Sequence, residues 1–373
     1  MTNSLRPRSL AVVLDARSAV NALAVLAGLA LVLATAADAG STLVTTRRRR
    51  GRLWPTPVFY RQTWRAWRAM GRRARHEQAR ERLLAAYGPL SLLGLLVTWV
   101  ALLVGGWALV WLGLRTQVSG IDGYTDALYF AGVGFFTVGF GDLVPSGGAA
   151  RILVIAEAFM GLVTMALVIG YLPTLYGAYS RREVQLLALD DLSDEPVTPI
   201  GFLEACHRGG GSEATTAAFA DWERWCDEVF DSHTTYPMLA LFRSRQPGQR
   251  WLTALGVVTD AAAITVAAVE GASSGPAARL CRRTTRLLGS FQGLPGVGSR
   301  AAAPAAAPEA RFQAHYRRLG ELGLPLRPYW QAWEDLRRLR AAYLPELVAA
   351  TELLLVPLEF RHHTVTIDVA RPP

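Results

Sequence analysis

Long uncharged apolar stretches lie in the first half of the chain, and apolar residues recur at helical spacing in the second. Pro89 to Leu114 contains no charge, and Ile152 to Tyr179 contains only Glu157. A helix needs about 20 apolar residues to cross ~30 Å of hydrocarbon, and each of these stretches supplies them. Ser18 to Ala37, between Arg17 and Asp38, is also uncharged, though richer in alanine. The pattern predicts three membrane spans. Beyond Ser180, Ala214–Phe230, Tyr236–Ser244, Trp251–Val269, Ala277–Phe291, Ala310–Leu322 and Trp330–Phe360 have helical composition. Leu192–Pro199 reads as a linker, Gly209–Gly211 as a loop and Gln292–Pro308 as a Gly/Ala/Pro-rich connector. No alternation of strand and helix occurs, so an all-α domain is expected. Trp251–Val269 is apolar enough for a fourth span. Asp260 at its centre would cost about 2.5–3.5 kcal/mol in lipid, which favours a buried helix of a soluble domain.

Charge orients the spans. All 39 basic residues are arginine, and 13 of them lie between Arg47 and Arg82 beside only two acids, Glu77 and Glu81. Arginine accumulates on the cytoplasmic side, so the first span is read as an uncleaved helix running outside to inside. The Ala-Thr-Ala-Ala-Asp-Ala that ends it would also suit a signal peptidase, but cleavage would require this basic stretch to be translocated. The second span then returns outward, and the third leaves Ser180–Pro373 in the cytoplasm. Four regions follow: 1–46, an N-terminal transmembrane helix; 47–88, a basic cytoplasmic segment; 89–179, the membrane module; 180–373, a helical cytosolic domain.

Within the basic segment Phe59, Tyr60, Trp64, Trp67 and Met70 recur at helical spacing, as in an amphipathic helix at a membrane interface. Arg61, Arg65, Arg68, Arg72 and Arg73 on it serve either as a topology signal or as contacts to anionic lipid. The net charge of +9 does not point to nucleic acid, because the cluster directly precedes a span. Cys206, Cys226 and Cys281 are odd in number and form no metal or disulfide spacing. His362-His363 are adjacent and so point in different directions, a poor metal pair. Gly296-Val-Gly298 lies inside the connector and is no dinucleotide turn. No nucleophile, metal cluster or phosphate loop supports an enzyme, and no cofactor is expected.

Between the second and third spans, Thr125–Phe136 is long enough for about three helical turns, half a bilayer. Thr137-Val138-Gly139-Phe140-Gly141-Asp142 follows, with glycine at alternate positions. Glycine permits the positive φ that a run of same-facing carbonyls requires. Non-helical backbone at membrane depth is tolerated only where it is buried in protein or lines a water-filled path. This segment resembles the selectivity filter of the potassium-channel family, with Phe140 in the place of the usual tyrosine. Phe136 stands where many members have threonine, and Tyr129-Phe130 replaces an aromatic tryptophan pair.

The resemblance covers Pro89–Tyr179 and implies a pore module of outer helix, re-entrant pore helix with filter, and inner helix. It implies that the carbonyls of Thr137, Val138, Gly139 and Phe140, with the Thr137 hydroxyl, hold K⁺ as the permeant ion, and that Asp142 lies at the outer mouth. The chain has one filter segment and the family surrounds its ion with four, so a homotetramer in the plasma membrane is expected. The expected fold class is therefore an all-α membrane protein: this pore module, an N-terminal transmembrane helix and an all-α cytosolic domain. The expected function is passive K⁺ conduction, gated at the inner helices by a cytosolic domain of unknown ligand. A weakly selective cation channel and a non-conducting sensor or scaffold are the alternatives. Gly161, Gly170 and Pro173 are candidate gating hinges in the inner helix. Glu157, the one ionisable residue of that helix, is a candidate pH-sensitive group, expected to receive a hydrogen bond from Tyr129.

Overall fold

A computed structural model of the chain describes residues 6–43, 54–191, 197–244, 251–272, 275–291 and 309–356. The protein is an all-α membrane protein. Its helices are α1 (Arg6–Leu43), α2 (Pro55–Arg73), α3 (Glu77–Gly113), α4 (Tyr124–Phe135), α5 (Gly148–Asp190), α6 (Pro199–Thr235), α7 (Trp251–Ala268), α8 (Pro276–Ser290), α9 (Glu309–Glu321) and α10 (Tyr329–Leu353). Two two-residue strands, β1 (Val118–Ser119) and β2 (Val144–Pro145), pair antiparallel with Val118 opposite Pro145. The chain forms two compact units. One holds residues 1–63 and 90–174, the other 64–89 and 175–373. The basic segment is thus divided between the units rather than standing apart.

In the first unit, α1 packs along α3 through glycine. A Cβ on Gly28 would fall 2.5 Å from the Gly106 carbonyl oxygen, and one on Gly113 2.5 Å from that of Asn21. Small residues that let backbones approach are how helices associate in lipid, where no hydrophobic force favours one apolar neighbour over another. Val20, Leu23, Leu26 and Leu33 of α1 remain exposed, as a lipid-facing side requires. Asp38, near the end of α1, is buried. Its carboxylate accepts the Thr56 backbone N–H (3.0 Å), the Thr56 hydroxyl (2.6 Å) and the Trp99 indole N–H (3.0 Å). It thereby satisfies a donor that the first turn of α2 leaves free.

In the second unit, the aromatic residues expected to face the membrane interface turn inward. Trp64 and Trp67 pack on Tyr87 of α3 at 4.8 and 5.6 Å, and the Trp67 indole donates to the Leu83 carbonyl (2.8 Å). The reason is the short turn after Arg73, which folds the end of α2 back along the start of α3. The core of this unit packs α6, α7, α8 and α10 against one another. Among the described residues α7 is by length and composition one of four helices able to cross a membrane, but 83% of it is buried within the protein. Its one charge is matched: Arg340 donates to both Asp260 oxygens (2.7 and 2.8 Å) and Tyr343 to one (2.6 Å). Burial opposes ionisation of Asp260, yet the Arg340 charge and these hydrogen bonds hold its carboxyl below the ordinary range.

Two boundaries differ from expectation. α6 starts at Pro199, where the Thr198 hydroxyl accepts the Gly201 N–H (3.1 Å), earlier than composition suggested. The loop expected at Gly209–Gly211 is a short break, with Gly210 and Gly211 (φ 66°) outside helical geometry, that divides α6 into two helical segments. The linker residues 192–196, the connector 292–308 and His362-His363 lie outside the described residues.

Candidate functional site

The site begins with α4, 12 residues and about 18 Å long, too short to cross a bilayer. At its start the Asp126 carboxylate reaches back to the N–H groups of Asp122 (3.1 Å) and Gly123 (3.0 Å). At its end the Thr137 N–H donates to the Gly134 carbonyl (3.1 Å) and the Val138 N–H to the Val133 carbonyl (2.9 Å). This pair of bonds is the Schellman closure of a helix, whose left-handed position is usually glycine. Here it is Thr137, at φ 56°. A β-branched residue in that region is strained and persists only where its surroundings fix it.

From Thr137 onward the backbone alternates. Positive φ recurs at Gly139 (66°) and Gly141 (79°) but not at Val138 or Phe140. A Cβ on either glycine would meet nothing within 4 Å, so conformation rather than space requires glycine there. Val138 and Phe140 expose 52% and 70% of their surface. One chain therefore presents this strand on an open face. Behind it the Tyr129 hydroxyl donates to Asp142 (2.8 Å), and the rings of Tyr129 and Phe140 stack at 6.5 Å. The β1–β2 pair, reinforced by the Ser146 N–H and hydroxyl on the Gln117 carbonyl (2.9 and 3.0 Å), ties the chain after Asp142 to the end of the outer helix.

Glu157 is fully buried, and its partner is Trp111 of α3, not Tyr129: the indole N–H donates to Oε2 at 2.7 Å. Tyr129 is engaged by Asp142 instead. Gly161, one turn further along α5, sits against α4 so closely that a Cβ would fall 1.9 Å from the Phe135 carbonyl oxygen. Gly170 has open space around it, and α5 continues helically through Pro173 to Asp190.

The arginines separate by environment. Arg65, Arg72 and Arg73 are exposed, while Arg61 and Arg68 are half-buried, and Arg68 donates to the Glu352 carbonyl at the end of α10 (3.0 Å). In the second unit Arg182 of α5 is buried and donates to the carbonyls of Leu239 (3.0 Å) and Phe242 (2.8 Å) and to Glu183 (2.9 Å). Burial, then the Arg182 charge, hold nearby His233 well below the usual histidine value. Sequence reasoning assigned no role to Trp111, Asp38 or Arg182. Each polar tip inside or beside an apolar run was a signal that a buried partner was needed, without saying which.

A family model described as "Ion channel" matches residues 97–176. An uncharacterized membrane protein of Bacillus subtilis (strain 168), YdjJ, is 33% identical over 106 residues, 27% of this chain and 31% of that one. Two-pore potassium channel 1 of Arabidopsis thaliana is 50% identical over 52 residues, 13% of this chain and 14% of its own. Two pore potassium channel a of Oryza sativa subsp. japonica is 41% identical over 78 residues, 20% and 22% respectively. The chain spans less than a third of the length of each of these relatives. No solved structure matches.

Proposed function

We propose that this chain, whose residues 97–176 match the ion-channel family model and which resembles two plant potassium channels over short stretches, forms a K⁺-selective pore from four copies. One observation carries the reading: the left-handed backbone at Thr137, Gly139 and Gly141, exposed at the end of a helix half a bilayer long. Irregular backbone at membrane depth needs either protein or a water-filled path beside it. Four copies about one axis supply both, each covering its neighbour's open strand while the carbonyls of Thr137, Val138, Gly139 and Phe140 take the place of the ion's water shell. Asp142 then stands at the outer mouth, held by Tyr129.

In this reading α1 enters from outside, the arginine-rich segment and residues 180–373 are cytoplasmic, and the membrane is the plasma membrane. Gating occurs at the inner helices. Gly170 and Pro173 are better hinge positions than Gly161, because α5 has free space at Gly170 whereas Gly161 is wedged against Phe135. The test is reconstitution of the purified full-length protein in planar bilayers with K⁺ on one side and Na⁺ on the other. A reversal potential near the K⁺ equilibrium value supports the reading; equal permeability to both ions defeats it.

A further inference from the structure

Two groups of α5, one turn apart, grip the last turn of α4. Gly161 admits the Phe135 carbonyl, and the Glu157 carboxyl lies beside Gly134, where an added Cβ would be 3.1 Å from Oε2. Gly134 is the residue whose carbonyl receives the N–H of Thr137, the strained first residue of the filter. The carboxyl is in turn fixed from the third side by the Trp111 indole of α3. Trp111 is itself held, edge-on to Phe130 of α4 at 5.0 Å and beside Trp107 at 6.3 Å. The Trp111–Glu157 hydrogen bond thus joins the outer and inner helices beside Gly134, one residue before the end of the pore helix.

A fully buried carboxyl at this depth is costly and needs a reason to be there. Packing alone does not supply one, since an aliphatic residue would fill the space without a polar penalty. Oε1 has no hydrogen-bond partner among the described residues, so the group is not there to complete a network. What it provides that an aliphatic residue cannot is an acceptor that fixes the rotation of the Trp111 ring while filling the space beside Gly134.

We propose that Trp111 and Glu157 are a positioning pair that fixes the end of the pore helix and thereby sets the ion selectivity of the filter. This rests on the pore reading above. The strain at Thr137 makes the dependence steep: a left-handed threonine relaxes as soon as the turn before it is released, and relaxation moves the first carbonyls of the ion path.

The experiment compares full-length wild type with Trp111→Phe, Glu157→Leu, Glu157→Gln and the Trp111→Phe/Glu157→Leu double variant. Assembly is followed by size exclusion and selectivity by K⁺/Na⁺ reversal potentials in planar bilayers. Trp111→Phe keeps a ring but loses the donor, and Glu157→Leu keeps the bulk but loses the acceptor. Each is expected to assemble and to lose about tenfold in K⁺ over Na⁺ preference, the scale of one buried hydrogen bond. Glu157→Gln retains an acceptor oxygen and is expected to preserve the preference. The double variant is expected to be no worse than either single, because both remove the same bond. Wild-type selectivity in Trp111→Phe, or additive losses in the double variant, overturns the proposal and leaves the pore reading standing. A non-selective wild type overturns both.

Discussion

Gly141 is held at φ 79° with no neighbour crowding it, so the penalty for a side chain there is purely conformational. An L-residue in the left-handed region costs roughly 1–2 kcal/mol, and the backbone escapes that cost by rotating its carbonyl away. Gly141→Ala is therefore expected to abolish K⁺ current while oligomer assembly, measured by size exclusion, survives. Unchanged conductance would mean that these carbonyls do not line the ion's path. At this scale the left-handed backbone at Gly139 and Gly141 was legible in the sequence, because alternating glycines announce such conformational permission directly. The partner of Glu157 was not legible. Trp111 lies 46 positions earlier, and which residue of an apolar helix meets a carboxyl depends on the rotation of both helices, which uniformly apolar composition does not encode.

The helices themselves were readable wherever apolar periodicity was continuous, and misjudged where glycine or a short turn intervened. Gly209–Gly211 suggested a loop, and Gly210 and Gly211 do leave helical geometry, but the break is short and the helix resumes because Ala214–Phe230 has its own strong periodicity. Pro89 did not begin the outer helix, which runs through it from Glu77. Gly161 acts between elements, since its missing side chain is the space that α4 occupies. Gly161→Ala would place a carbon 1.9 Å from the Phe135 oxygen, so backbone must shift. The expected outcome is loss of K⁺ over Na⁺ preference even where channels still open, read from reversal potentials. In the second unit, Arg340→Met strands the Asp260 carboxylate among apolar helices. Breaking such a pair costs about 3–5 kcal/mol, visible as a lower thermal unfolding midpoint of the full-length protein. Since Asp260 is held below its ordinary value in the folded state, its stabilising contribution is present above about pH 4 and lost as the pH falls through that range. Wild type should show this acid-side fall in midpoint, and Arg340→Met should lack it.

For the whole molecule, composition identified a membrane protein and charge asymmetry proposed its orientation, but the division into units was hidden. The basic segment reads as one block, whereas its aromatic residues from Trp64 onward belong with the C-terminal half of the chain. Helical spacing of apolar residues is the same for a face that meets lipid and one that meets another helix, and here Tyr87 and Leu83 claim it. Of the five arginines read as possible contacts to anionic lipid, Arg61, Arg65, Arg68, Arg72 and Arg73, three remain exposed: Arg65, Arg72 and Arg73. Replacing all three with glutamine is expected to weaken any dependence of open probability on anionic lipid fraction, each charge near the surface being worth about 1 kcal/mol. The same dependence in wild type and variant would assign these arginines to topology alone.

The open filter strand of a single chain also bears on inheritance. Under the proposed fourfold assembly every ion path is built from four separately synthesised contributions, and one misshapen strand spoils the ring for the other three. When intact and Gly141→Ala chains are made in equal amounts and mix freely, only about one complex in sixteen contains no altered copy. A defect at the filter would therefore be dominant, whereas a defect that prevents folding of the whole chain would leave the remaining copies to assemble among themselves.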